Sequence, residues 1–300
     1  MSAADGLDGL LEILASFPAD ARDFSVGPVV ARRAFGLDED ALAALVAAGL
    51  YSGTADAPLF DHHDLMNVAL ESRNGSAMAY GPAAWARLLN GDHGPSLRAR
   101  IDVVPECSGE HADSACRFRV RCPGGGWAEP GEGETPSVVL DLPAVWPQPD
   151  PRAAELLAEF DRFRFVRLPP ALGADLDLAA RTGVADCNAV PRLLVREGLR
   201  RGVPVRLAHG LILSAPFAIL HFWAEIRTEG VWVPHDPLIR GALVRWGLLD
   251  AAAWPVTRST GKVLARIAGA AGPVAFDHGG PTGASYPTMP RAATTHEEHR

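Results

Sequence analysis

The run LHFWAEIRTEGVWVPHDP, Leu220 to Pro237, constrains the fold more than any other part of this chain. LHFWAEI and VWVPHDP each alternate in character, and RTEG between them ends in the glycine that marks a hairpin turn. Two such runs require an antiparallel sheet. A four-residue loop from Arg227 to Gly230 pairs Ile226 with Val231, Ala224 with Val233 and His221 with Asp236. In that register His221, Trp223, Glu225 and Asp236 share one face, while Ala224, Ile226, Val231 and Val233 line the opposite, core-facing side. A histidine beside a carboxylate is the proton-handling half of a nucleophilic site.

A nucleophile stands upstream, in ADCNAVPRLLVREGLRRGVPVR. Val190, Leu193 and Leu194 form an apolar stripe. Arg200 and Arg201 fall in the last turn, Gly202 at the cap position and Pro204 beyond, so the helix end is well marked. Its start lies near Cys187, and Pro191 moves that start toward Ala189 or bends the first turn. A thiol at a helix N-terminus meets unpaired N–H groups and the positive end of the dipole, which favours the thiolate and offers donors to an oxyanion.

The rest of the chain sets the frame. Residues 1–95 read as a helical accessory domain, with leucines at helical spacing in LDGLLEILASF and acid-to-glycine punctuation in LDEDALAALVAAGL. VVARRAFGLDEDALAALVAAGL has some look of a helix-turn-helix, but only Arg32 and Arg33 would face phosphate among many acids. A net charge of -8 also disfavours nucleic-acid binding. From residue 96 the pattern turns to strands. In CRFRVRC, Cys116, Phe118, Val120 and Cys122 share one face and Arg117, Arg119 and Arg121 the other. SVVLDLPAVW reads as a strand, PRAAELLAEFDRFRF as an amphipathic helix, and IRGALVRWGLLDAAAW and TGKVLARIAGAAG as helices. Residues 276–300 read as a disordered tail. The N-terminus has no signal-peptide pattern, and no window approaches the roughly 20 apolar residues of a membrane span, so the expected location is the cytoplasm.

Two metal-like clusters have blander explanations. Cys107, His111, Cys116 and Cys122 are zinc-ligand types, but Cys116 and Cys122 sit at opposite ends of a strand, roughly 20 Å apart, and one ion cannot hold both. Buried strand thiols are the better reading. DHHD (Asp61 to Asp64) reads as a helix start capped by Asp61. No metal and no cofactor is expected.

DCNAVPRLLVREGLRRGVPVRLAHGLIL followed by HFWAEIRTEGVWVPHDP resembles the transglutaminase-like superfamily of papain-fold cysteine enzymes. The resemblance covers about Gly183 to Leu238. It implies an α+β class with a papain-like core over residues 96–275, in which the cysteine-bearing helix packs on an antiparallel sheet. It implies Cys187 as nucleophile, His221 as general base and then acid, and Asp236 as the residue orienting His221. Trp223 and Glu225 fall at supporting positions, and Asp186 is placed with them. The expected activity is acyl transfer through an acyl-enzyme thioester, forming an amide or ester. Bacterial relatives in specialised metabolism suggest a carrier-protein thioester as donor and an amine as acceptor. A cytoplasmic cysteine peptidase or amidase, a non-catalytic binding protein on a decayed triad, and a DNA-reading regulator are the other readings.

Overall fold

A computed structural model describes residues 3–53, 58–107, 116–270 and 272–292. The chain divides into two compact units, Met1–Ala83 with Phe163–Ala189, and Ala84–Arg162 with Val190–Arg300.

The first unit rests on helices whose starts are written in the sequence. Ala3–Ala15 buries Leu10, Leu11 and Leu14 at helical spacing. Asp38 caps Glu39–Ala47 by accepting from the Ala41 N–H, and Asp61 caps His62–Ser72 by accepting from the N–H groups of His63 and Asp64. Such a cap contributes about 1 kcal/mol. The DHHD tetrad is therefore a helix start, and its last member turns inward, where Asp64 pairs with Arg22 Nε at 2.8 Å. Val166, Leu168 and Val184 share a core with Phe35, Phe60 and Leu65. Their burial there draws Phe163–Ala189 out of the segment expected to form one catalytic domain from residue 96. Arg164–Phe165 pairs in parallel with Val184–Ala185 and closes that excursion. The boundary expected near residue 95 falls at Ala83.

The second unit is a mixed α+β assembly on an eight-stranded antiparallel sheet. The order across it is Leu264–Ala268, Val205–Ile212, Phe217–Thr228, Ala284–Ala292, Ser96–Asp102 and Ser137–Pro143. Val231–His235 adds to the Phe217–Thr228 strand, and Val104–Pro105 to Ala284–Ala292. A four-stranded sheet joins Gly280–Thr282, Ala275–Asp277, Phe118–Arg121 and Trp127–Ala128. The alternation in CRFRVRC holds: Phe118, Val120 and Cys122 are buried, while Arg119 and Arg121 reach out over the Trp127 ring. Helix Pro151–Phe160 buries Ala153, Leu156, Leu157 and Phe160. Helix Ala189–Arg200 buries Val190, Leu193 and Leu194 as its stripe requires, and Gly202 at φ 70 ends it.

Two expectations are corrected here. Leu264–Ala268, read as part of a helix, is a strand paired with Val205–Ile212 and preceded by a short 3-10 turn at Gly261–Val263. Residues 276–292, read as loose tail, carry strands instead, and Ala284–Ala292 lies inside the large sheet with Tyr286 and Thr288 buried. Residues 293–300 lie outside the described part, as does His111. Among the described residues, no helix is long and apolar enough to cross a membrane.

Candidate functional site

The His221–Asp236 pair is built by the hairpin. Thr228 pairs with Val231 and Ile226 with Val233, so the loop has two residues rather than four, and His221 does not stand directly opposite Asp236. The reason lies in the turn: Glu229 and Gly230 take φ 50 and 86. Two successive left-handed residues make the tight turn whose twist matches a right-handed ribbon. A slip of two residues preserves the alternation, so both side chains keep the face expected of them.

Asp236 lies just past the Val231–His235 strand and caps helix Pro237–Arg245. Its Oδ1 accepts the Ile239 N–H at 3.0 Å, and its Oδ2 is hydrogen-bonded to His221 Nε2. One carboxylate thus serves two partners, each fixing its rotamer for the other. Both residues are buried, at 3% exposure for His221 and 5% for Asp236. Trp223 is fully buried and stacks on the His221 ring with centroids 6.4 Å apart. Gly210 stands opposite His221, where any Cβ would run into Ala265 O and the Trp223 ring.

Glu225 has a mechanical role. Its carboxylate meets Arg206 Nη2 at 2.6 Å and Arg266 Nε at 3.6 Å, joining three neighbouring strands. Burial disfavours the charged form of the other buried histidines nearby. Burial pushes His235 down to about 4, and burial followed by repulsion from His221 lowers His209, which stacks on Phe222. In this sheet His221 is the histidine with a carboxylate partner.

Cys187 belongs to the other unit. Cys187 occupies a turn between Val184–Ala185 and helix Ala189–Arg200, so the helix starts where Pro191 puts it. Asp186 organises the turn: its Oδ1 accepts the N–H groups of Asn188 at 2.8 Å and Ala189 at 3.3 Å. Gly173 makes room for this carboxylate, since a Cβ there would come within 2.9 Å of Oδ2. Two of the N–H groups expected to hold an oxyanion are therefore engaged by Asp186.

Two residues at this turn went unforeseen. Arg167 Nη1 donates to Cys187 Sγ at 3.9 Å. Asn67, from helix His62–Ser72, fixes Arg167 by accepting its N–H at 2.7 Å and donating to its carbonyl at 2.8 Å. Asn67 and Arg167 are 100 residues apart, and no local pattern links them.

Family models, curated proteins and solved structures give no match to this chain.

Among the described residues, the side chains able to hold a metal together are Cys107, Cys116, Asp277 and His278, away from His221 and Cys187 in sequence. Cys107 is exposed and Cys116 partly buried, so of the strand thiols only Cys122 matches the buried reading.

Proposed function

We propose that this chain is a cysteine-dependent acyltransferase with a transglutaminase-like, papain-fold catalytic core. The observation that carries the proposal is the buried His221–Asp236 pair, whose carboxylate is pinned by a helix N-terminus. A histidine held through Nε2 leaves proton exchange with the nucleophile to Nδ1.

The steps follow from that assignment. Cys187 passes its proton to His221, and Sγ attacks the carbonyl carbon of a thioester or amide. The tetrahedral adduct collapses, the leaving thiol or amine takes the proton from His221, and the acyl group remains on Cys187. An amine then attacks the acyl carbon and gives its proton to His221, the C–S bond breaks, and the proton returns to sulfur. Arg167 supplies the charged donor for the negative charge at the thiol turn. In this proposal the donor is a carrier-protein thioester and the acceptor an amine, in a bacterial cytoplasm. Water as acceptor gives the hydrolase variant of the same chemistry.

A second reading has its own support. Cys187 is only 9% exposed and His221 only 3%, as a binding protein on a disused triad would have them. Intact-mass analysis after exposure to a panel of small acyl thioesters separates the two. The expected result is a single adduct on the wild type, absent from Cys187→Ala and formed about 10²–10⁴-fold more slowly in His221→Ala. No adduct, together with alkylation of Cys187 no faster than that of Cys122, overturns the enzyme and leaves the binding protein.

A further inference from the structure

We infer that Cys107, Cys116, Asp277 and His278 form a binding site for a zinc-class divalent ion, independent of the acyl-transfer chemistry. One ligand atom from each of the four lies within 4.8 Å of all the others, and the two Sγ atoms are 3.1 Å apart. A tetrahedral ion with bonds of roughly 2.0–2.3 Å spaces its ligands about 3.3–3.8 Å from one another. The set needs only small side-chain adjustments to reach that spacing.

The donor types narrow the ion. Two thiols and an imidazole select zinc, or cobalt and iron in its place, over magnesium and calcium, which take oxygen shells. Four protein donors close a tetrahedral shell, the structural kind of site rather than one with a position left for substrate. Asp277 and His278 are what distinguish this from a plain thiol pair, since a disulfide has no use for a carboxylate and an imidazole at its side.

The backbone brings the four together. Asp277 ends the Ala275–Asp277 strand, pairing with Phe118 on one side and with Gly280 on the other. Cys116 is two residues before Phe118, so it reaches the same end of the four-stranded sheet. His278 and Gly279 form the two-residue turn, with φ 42 and 82. A histidine in the left-handed region costs on the order of 1 kcal/mol where glycine would cost little, and the site gives that placement a purpose. Cys107 is delivered by its neighbour: the Glu106 N–H donates to Gly283 O at 2.9 Å, and Thr282 Oγ1 donates to Glu106 O. The ion would thus tie residues 107 and 116 to one hairpin turn, from positions about 160 residues apart in the chain.

The test uses the full chain, purified under reducing conditions from zinc-supplemented medium. Elemental analysis should give one zinc per chain. After chelation, Co²⁺ should restore the intense visible bands of a tetrahedral centre with thiolate-to-metal charge transfer. Cys116→Ser and His278→Ala should lose those bands, and Cys122→Ser should keep them. If a ligand variant fails to fold, the charge-transfer intensity of the wild type still counts the thiolates, and two are expected. A reduced wild type that retains no zinc and gives no cobalt bands overturns the site. So does binding unchanged in folded Cys116→Ser and His278→Ala. Loss of two titratable thiols in the unreduced, metal-free chain, with no metal uptake once reduced, assigns Cys107 and Cys116 to a disulfide instead.

Discussion

The hairpin that carries His221 and Asp236 and the turn that carries Cys187 are held by different means. In the hairpin, each residue is fixed by neighbours within about fifteen positions: a strand ladder, a two-residue turn and a helix cap follow one another along the chain. In the cysteine turn, Asp186 acts locally, but Arg167 is placed by Asn67 from a helix a hundred residues upstream. The His221–Asp236 pair is a product of local geometry, whereas the environment of the thiol depends on the packing of the first unit. Substitutions should therefore damage the two halves in separable ways.

The largest effect is expected at Asp236. Asp236→Ala removes the partner of a buried histidine and the cap of helix Pro237–Arg245 together. Breaking a buried pair costs about 3–5 kcal/mol, and losing a cap adds about 1. Asp236→Asn keeps an oxygen for the Ile239 N–H while removing the charge, so it should retain the cap and still lose acylation. Urea unfolding of the two variants checks this. If they are equally destabilised, the carboxylate does not serve two partners.

The contrast also explains what could be read in advance. Alternation in LHFWAEI and VWVPHDP reveals two strands, because side-chain parity is local. Loop length is not revealed, since RTEG suits both a two-residue and a four-residue connection until the backbone of Glu229 is known. Capping at Asp61 and the stripe of Val190, Leu193 and Leu194 are local too, and both are legible. GKVLARIA carries apolar residues compatible with either period, and only pairing with Val205–Ile212 makes it a strand. Ala284–Ala292 hides behind Pro287 and Pro290, residues that normally disqualify a strand. It accommodates them by changing partners along its length, from Val104–Pro105 to Phe217 and Ala218 and then to residues 97–101. Asn67, Arg167, Asp277 and His278 stayed out of sight for one reason: each matters through a partner far away in the sequence.

Asn67→Ala tests the other half. It withdraws two hydrogen bonds from the part-buried backbone N–H and carbonyl of Arg167, a loss of about 1–2 kcal/mol. The guanidinium then loses its fixed position beside Cys187. The alkylation rate of Cys187 should change, while Asp236 continues to cap its helix. Normal Cys187 reactivity in a destabilised but folded Asn67→Ala chain would show that Arg167 does not condition the thiol.

The smallest effect bears on the register itself. Glu229 sits at φ 50, a left-handed backbone that crowds the Cβ of an ordinary L residue. Asparagine adopts that region far more readily, and Asn-Gly is the favoured pair for a two-residue hairpin turn. Glu229→Asn should therefore stabilise the chain by about 0.5–1 kcal/mol, because it relaxes one residue and touches no packed side chain. In a four-residue loop the same substitution would fall on a less demanding backbone and bring no gain. A denaturation midpoint that rises with unchanged slope supports the pairing of Thr228 with Val231, and through it the placement of Asp236 just beyond the strand end. A midpoint that stays put or falls means that Glu229 is not in the left-handed region. The ladder that aligns His221 with Asp236 would then have to be redrawn.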